Sequence, residues 1–299
     1  LLGLKMQTSF FGRTELVLIL GVSMVSIPSA FFVAHTIGRL LGVERPMADL
    51  LAGGTMICGA SAVNAIAPVV GAKKQDQGIA IGVVFLFSVV AMLSFRVIAR
   101  AVGLDPSFGG LWSGLAVNDL SSSVAVGAQM GGSGGVMAAA AKSARILMLA
   151  PVLVTLSFLR RDPRADGTSS SSGLLKTIRD SLPGFLVGYV ALAVVRGVLD
   201  RFVGDASWWK AILDANKIAV DLAMSTVSAG IGLHLSFRAI LASSGRAVGV
   251  GGGASLWMAS VTLALMVAVA RGQSMLAIGL GIGSLAVSYA FYRTVARQA

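Results

Sequence analysis

Long uncharged stretches, separated by short charged ones, set the pattern of this chain. Residues 16–38, 50–72, 77–95, 120–141, 247–270 and 272–292 contain no Asp, Glu, Lys or Arg. Each is long enough, or nearly so, to cross about 30 Å of hydrocarbon as a helix rising about 1.5 Å per residue. Shorter apolar runs at 146–159, 181–195 and 222–237 become spans if polar residues at their ends are tolerated. The pattern predicts an all-α fold, a polytopic transmembrane helical bundle of about nine or ten membrane segments. Such a bundle takes up nearly the whole chain and leaves no room for a soluble domain.

One of these runs has an unsuitable middle. Residues 53–70 read GGTMICGASAVNAIAPVV, with Gly53, Gly54 and Gly59 interleaved with Thr55, Ser61 and Asn64. Lipid cannot satisfy loosened backbone, so a Gly-rich polar centre at membrane depth belongs inside protein or beside a wet cavity. Two readings follow. The stretch lines a transport pathway, or its small residues form a seam where helices pack closely.

Composition agrees with the membrane reading. The 299 residues are 56% apolar and only 12% charged, against about 25% charged in soluble domains. The net charge of +11 is scattered between apolar runs and forms no face or tract, which excludes a nucleic-acid footprint. In a polytopic protein such charges orient loops and meet anionic headgroups. The single cysteine, Cys58, excludes an internal disulfide and any Cys-based metal cluster. No HExxH, GxSxG, P-loop or CxxC pattern is present, so neither enzyme, cofactor nor metal is expected. The glycine strings at 249–254 and 279–284 lie inside apolar runs, without the strand–turn–helix setting of a dinucleotide site.

A polar, basic, Ser-rich segment at 160–180 divides the chain and is expected in the cytoplasm. The expected organisation is a first transmembrane repeat at 1–159, this linker, and a second repeat at 181–299. Residues 3–14 and 232–247 resemble each other weakly, each running Gly-Leu to Gly-Arg before a long uncharged span. Inverted repeats with interrupted helices are therefore expected, with a site at their interface. The topology stays open. Counted as a crossing, residues 108–130 put Lys73 and Lys74 outside; counted as a re-entrant hairpin, they put Arg39 and Arg45 there.

Polar groups inside the spans supply candidate chemistry. Asn118 and Asp119 interrupt an apolar segment and lead into Ser121, Ser122 and Ser123. Lys142 and Arg145 follow at i, i+3 on one helical face. The two cations suit an anion, with Asp119 for coupling or charge balance; interior pairing or snorkelling is the alternative. In the second half, Asp221, Ser225, Thr226, Ser228, Gly230 and Gly232 form another glycine-rich, hydroxyl-bearing segment, read as facing residues 53–70 across one site. His35 and His234 sit at segment ends and read as structural or topological.

These residues also resemble a known family. GGTMICGASAVNAIAPVV is similar to the Gly-x-x-Ile-Cys-Gly-x-Ser-Ala signature of the YeiH-type family, described as sulfate exporters. GLWSGLAVNDLSSSVAVGAQM resembles that family's Gly-x-Ala/Ile-x-His-Asp/Glu segment, AAAAKSARILMLAP its Lys-x-x-Arg segment, and AMSTVSAGIGL its Ala-Met-x-x-x-Gly-Leu segment. Asn118 stands where the family usually has His, and Ser122 where it has Gln. Both departures bear on substrate and coupling rather than on fold. The resemblance spans roughly residues 3–265 and implies secondary-transporter architecture, with export of sulfate or a related sulfur oxyanion or sulfonate.

The expectation is thus a multi-pass protein of the bacterial inner (plasma) membrane that moves a small anion by alternating access, without ATP. Candidate substrate contacts are Thr55, Gly59, Ser61, Asn64, Asn118, Ser122, Lys142, Arg145, Ser225 and Ser228. Expected partners are a small anionic substrate, the lipid bilayer and a coupling ion, H+ or Na+; a homodimer is compatible with the pattern. An anion channel and a non-transporting membrane scaffold are the alternatives.

Overall fold

The computed structural model describes residues 13–159, 184–204, 206–234 and 245–298, which form twelve helices and no strand. Helix α1 (Arg13–Leu40) runs 28 residues and ends at Gly42, whose φ of +64° reverses the chain. Pro46, in the first turn of α2 (Arg45–Met56), needs no amide partner there. Helix α3 (Ala60–Val70) follows a three-residue break, and α4 (Lys74–Ala101) is again 28 residues long. A second glycine turn at Gly103, φ +72°, leads to α5 (Pro106–Ala116), α6 (Leu120–Met130) and α7 (Gly134–Leu147). The remaining helices are α8 (Leu149–Leu159), α9 (Gly184–Val203), α10 (Ser207–His234), α11 (Gly245–Ala270) and α12 (Ser274–Gln298).

Helices α2 and α3 do not continue one another; they fold back as a hairpin. Gly53 lies against the side chain of Ile66, and a Cβ on Gly54 would sit 2.9 Å from Val63. Helices α5 and α6 do the same. Ser107 Oγ lies 2.8 Å from Ser133 Oγ, a Cβ on Gly109 would meet Met130 at 3.2 Å, and Ser113 Oγ donates to Ser123 O at 3.1 Å. In both pairs the partner's number falls as the residue number rises, which is the register of antiparallel arms. Residues 50–72 and 120–141, each long enough to span, are therefore divided, at Ile57–Gly59 and at Gly131–Ser133. An arm of 11 or 12 residues reaches only about 17 Å, about half of a 30 Å hydrocarbon core. Residues 108–130 re-enter rather than cross.

The connecting helices orient the hairpins. Helix α1 ends beside the base of hairpin α2–α3, and α4 then crosses to the base of hairpin α5–α6. The two hairpins therefore enter from opposite faces. Residues 13–71 and 74–131 repeat one plan: a 28-residue helix, a glycine turn, a short-armed hairpin and a glycine exit, in inverted orientation. The turns even read alike, LLGVERP at 40–46 and AVGLDP at 101–106. This inverted repeat differs from the likeness between residues 3–14 and 232–247, which falls largely outside the described residues, as does the basic linker.

Among the described residues, five helical stretches are long and apolar enough to cross a membrane: Leu16–Leu40, Lys74–Ala101, Gly134–Ser157, Gly245–Ala270 and Met275–Val295. Helix α11 binds the repeat together. Its glycines admit four side chains, from α1 with its following turn and from α4: Leu41 at Gly249, Val83 at Gly251, Phe87 at Gly252 and Ile37 at Gly253. The glycine string at 249–254 is thus a packing face. Helix α12 lies along α1, where Phe32 meets the rings of Tyr289 and Tyr292 at 5.3 and 5.4 Å.

Candidate functional site

The hairpin tips meet. Gly59, with φ +72° and ψ −132°, starts α3, and a Cβ there would lie 3.0 Å from Asp119 Cβ and 3.5 Å from Val84. Four helix ends converge at this point: the C-termini of α2 and α5 and the N-termini of α3 and α6. The final carbonyls of a helix lack intrahelical partners and carry partial negative charge; the first N–H groups carry the opposite.

Helix α7 supplies the partners for the C-terminal ends. Arg145 donates from Nε to Met56 O at 2.5 Å, from Nη2 to Thr55 O at 2.8 Å, and from Nη1 to Leu115 O. One guanidinium therefore ties the last turn of α2 to the last turn of α5. Lys142, one turn earlier, donates from Nζ to Val117 O at 2.5 Å, just past the end of α5. Both side chains are fully buried, which excludes snorkelling. The rigid fork of Arg145 suits several fixed acceptors, whereas the compact ammonium of Lys142 keeps two hydrogens beyond the Val117 bond.

The N-terminal ends are treated unequally. Asp119 caps α6: its Oδ1 accepts from Ser122 N at 2.8 Å and from Ser121 Oγ at 3.0 Å. Its Oδ2 is buried without a partner. Helix α3 begins at Gly59 with no side-chain cap. Beside these tips, the Thr55 hydroxyl is also buried and unpartnered. Asn118 donates from Nδ2 to Val84 O and to Ser255 Oγ, both at 3.2 Å, joining hairpin α5–α6 to α4 and α11.

Two cavities flank the tips. One of about 420 Å³ lies between α4, α5 and α11 and reaches Val117, Asn118 and Ser255. The other, of about 340 Å³, lies between α1 and α8 and reaches Met56. Each cavity touches a different tip.

Of the residues singled out from sequence, Thr55, Gly59, Asn118, Asp119, Ser122, Lys142 and Arg145 come together at the tips. Ser61 is half-buried in the first turn of α3, and Asn64 is exposed on that helix. Helix α10 runs unbroken through Gly230 and Gly232 and packs against α6; the side chains of Asp221, Ser225 and Ser228 lie outside the described residues. The counterpart of the break at 57–59 is the break at 117–119, from the same half of the chain. Ser255 escaped sequence reasoning, because a serine beside three glycines in an apolar run reads as packing. The main-chain carbonyls of Thr55, Met56, Leu115 and Val117 escaped it too, since no side-chain pattern announces them.

Paired re-entrant hairpins, full-length apolar helices and a buried polar junction define a polytopic helical membrane protein. Residues 1–251 match the model of the family described as conserved hypothetical protein 698. The chain belongs to that family, and the YeiH-type resemblance is borne out with it. Relatives similar to this chain include UPF0324 membrane proteins from several bacteria. That of Agrobacterium fabrum is 32% identical over 196 residues, 66% of this chain and 54% of the relative. That of Bdellovibrio bacteriovorus is 32% identical over 195 residues, 65% and 57% of the two chains. That of Staphylococcus aureus (strain MSSA476) is 28% identical over 227 residues, 76% and 63%. The matched region spans between about half and two thirds of these relatives' length. No solved structure matches the chain.

Proposed function

We propose that the protein is a secondary transporter of a small oxyanion such as sulfate, sulfite or a sulfonate, working by alternating access. The observation that carries this reading is the contact of Gly59 with Asp119, which joins two inverted re-entrant hairpins tip to tip. Irregular backbone at membrane depth is tolerated where it is buried in protein or lines a cavity, and transporters place their sites at such breaks. The uncapped start of α3 and the spare hydrogens of Lys142 offer an oxyanion what it requires, N–H donors and positive charge. Thr55, Ser61, Asn118 and Ser122 add polar groups around them. Arg145 holds the two C-terminal ends in place, and Asp119 balances charge or carries the coupling ion.

The membrane is the bacterial inner membrane in this reading, and the topology becomes consistent with it. With both hairpins re-entrant, Arg39, Arg45, Lys73 and Lys74 fall on one face, where α8 ends and the basic linker begins. The positive-inside rule makes that face cytoplasmic. Thermal unfolding of detergent-purified protein against sulfate, sulfite, sulfonates and carboxylates tests the substrate class. Stabilisation by one anion class is expected, because a ligand of the folded state raises its stability. Saturable flux of that anion into proteoliposomes then marks a carrier, whereas non-saturating conductance marks a channel. No stabilisation and no flux would leave a scaffold and sink the proposal.

A further inference from the structure

Asp119 brings more to the junction of the tips than its cap uses. The residue is 5% exposed, and its Oδ1 takes the hydrogen bonds from Ser122 N and Ser121 Oγ. Oδ2 is buried and takes none. Donors stand close by. Asp119 Cβ lies against Gly59, where α3 starts. In that first turn Ala62 N and Val63 N donate to Gly59 O, whereas Ala60 N and Ser61 N find no acceptor among the described residues. Lys142 holds Val117 O, two residues before Asp119 in the extended break between α5 and α6, yet its ammonium forms no ion pair with the carboxylate. The fully buried Thr55 hydroxyl is unpartnered as well. A carboxylate oxygen, an ammonium and free amides thus share one junction without satisfying one another, although polar groups are costly to bury unpaired.

We propose that the oxyanion and one proton bind together at this junction, the proton carried on Asp119 Oδ2 and donated to an anion oxygen. The inference rests on the transporter reading and names the coupling ion. Ionised, Oδ2 only accepts, so it would face an anion oxygen with like charge and no hydrogen between them. With a proton drawn from solvent, the same contact becomes a short, strong O–H···O hydrogen bond. Ala60 N, Ser61 N and the Lys142 ammonium then serve the anion's other oxygens. The charges agree with this pairing. A monoanion entering with one proton leaves the net charge of the junction unchanged, Lys142 against Asp119 before and Lys142 against the anion after, so neither state buries an unbalanced charge. A sodium ion fits worse, because hard cations take several oxygen ligands and the groups beside Oδ2 include N–H donors and an ammonium. Besides Lys142, the titratable and charged groups on the elements packed around Asp119 are Arg145 on α7, Cys58 at the α2–α3 break, Lys74, Asp76, Arg96 and Arg100 toward the two ends of α4, Asp105 at the head of α5, and Lys210 and Asp214 on α10. The side chains of Lys217 and Asp221 lie outside the described residues.

The test is calorimetry of the full chain in detergent with methanesulfonate, a monoanion that takes up no proton of its own, and with sulfate alongside. Heats are compared in Tris and triethanolamine, amine buffers that differ in ionisation enthalpy and contain no oxyanion, and the difference counts the protons taken up per anion bound. The expected count approaches about one, and the anion's Kd weakens by up to about tenfold for each pH unit of increase, as one-proton linkage requires. Asp119→Asn keeps the cap, since a carboxamide oxygen accepts from Ser122 N and Asn caps as well as Asp. Its amide donates to the anion without collecting a proton, so that variant is expected to bind with a Kd independent of pH and a count of zero. A wild-type count of zero at every pH at which the protein stays folded overturns the proposal, whether or not the variant folds. An Asp119→Asn protein that still takes up a proton also overturns it, by placing the proton on another group. Binding without proton uptake leaves the transporter reading standing, whereas failure to bind methanesulfonate or sulfate removes both.

Discussion

Gly59 and Asp119, the two hairpin tips, lie so close that a Cβ on the glycine would be 3.0 Å from the Cβ of the aspartate. The contact also needs a backbone that L side chains rarely adopt, since Gly59 has φ +72°. The resemblance-bearing Ile-Cys-Gly-x-Ser-Ala element thus has a physical reason for its glycine. Gly59→Ala is predicted to destabilise the protein by about 1–3 kcal/mol from backbone strain, before any loss from parting the tips. Thermal unfolding in detergent measures it; an unchanged midpoint would mean that the tips do not meet.

Arg145 ties three carbonyls from two hairpins. Arg145→Ala would leave Thr55, Met56 and Leu115 carbonyls buried and unsatisfied, each costing about 1–3 kcal/mol. The expected outcome is misassembled protein that elutes aggregated from size exclusion. Arg145→Lys retains the charge without the fork, so it is predicted to be intermediate in recovery. Full recovery of monodisperse Arg145→Ala protein would show that the clamp is dispensable. Reading the two cations from sequence as equal substrate contacts does not anticipate this division of labour, because carbonyl acceptors leave no trace in side-chain identity.

Much of the rest was legible. Gly53, Gly54 and Gly59 in an uncharged run announced an interruption at membrane depth, and Asn118–Asp119 announced another. Their pairing was not, because the run of apolar residues is as long as a span and only the contacts Gly53–Ile66 and Gly109–Met130 show that the arms fold back. The internal repeat was written in LLGVERP and AVGLDP, but short glycine turns recur by chance and carry no hydrophobic period. His35 read as a segment-end residue, since a sequence does not show that Asp49 lies across from it.

Close packing of α5 on α7 gives a further prediction. Gly110 lies against Gly134 O, and a Cβ on Gly114 would sit 2.5 Å from Ala138 O. Spaced four apart, these glycines let the two backbones approach as small residues do in membranes. Gly114→Val must push α5 away from α7 and stretch the Lys142 bond to Val117. A loss of about 1–3 kcal/mol from overpacking is expected, read as a lower unfolding temperature. Proteoliposome flux should fall with it, and a Gly114→Val protein as stable as wild type would refute the backbone approach.

Lys142 separates binding from support most cleanly. Its ammonium makes one hydrogen bond, to Val117 O, and two hydrogens remain for a ligand. Lys142→Gln keeps a polar amide one atom short of the ammonium position and removes the positive charge. The variant is therefore predicted to purify folded and monodisperse, with stability near that of wild type, because burying an ammonium is itself costly. Anion affinity should weaken at least about tenfold, the equivalent of about 1.4 kcal/mol, with stabilisation by the active anion lost in the thermal assay. Three of the five Arg145 N–H groups are committed to Thr55, Met56 and Leu115, which ties its charge to the two C-terminal ends. Folded Lys142→Gln protein with wild-type anion affinity would assign Lys142 to support alone, and would move the oxyanion to the uncapped start of α3.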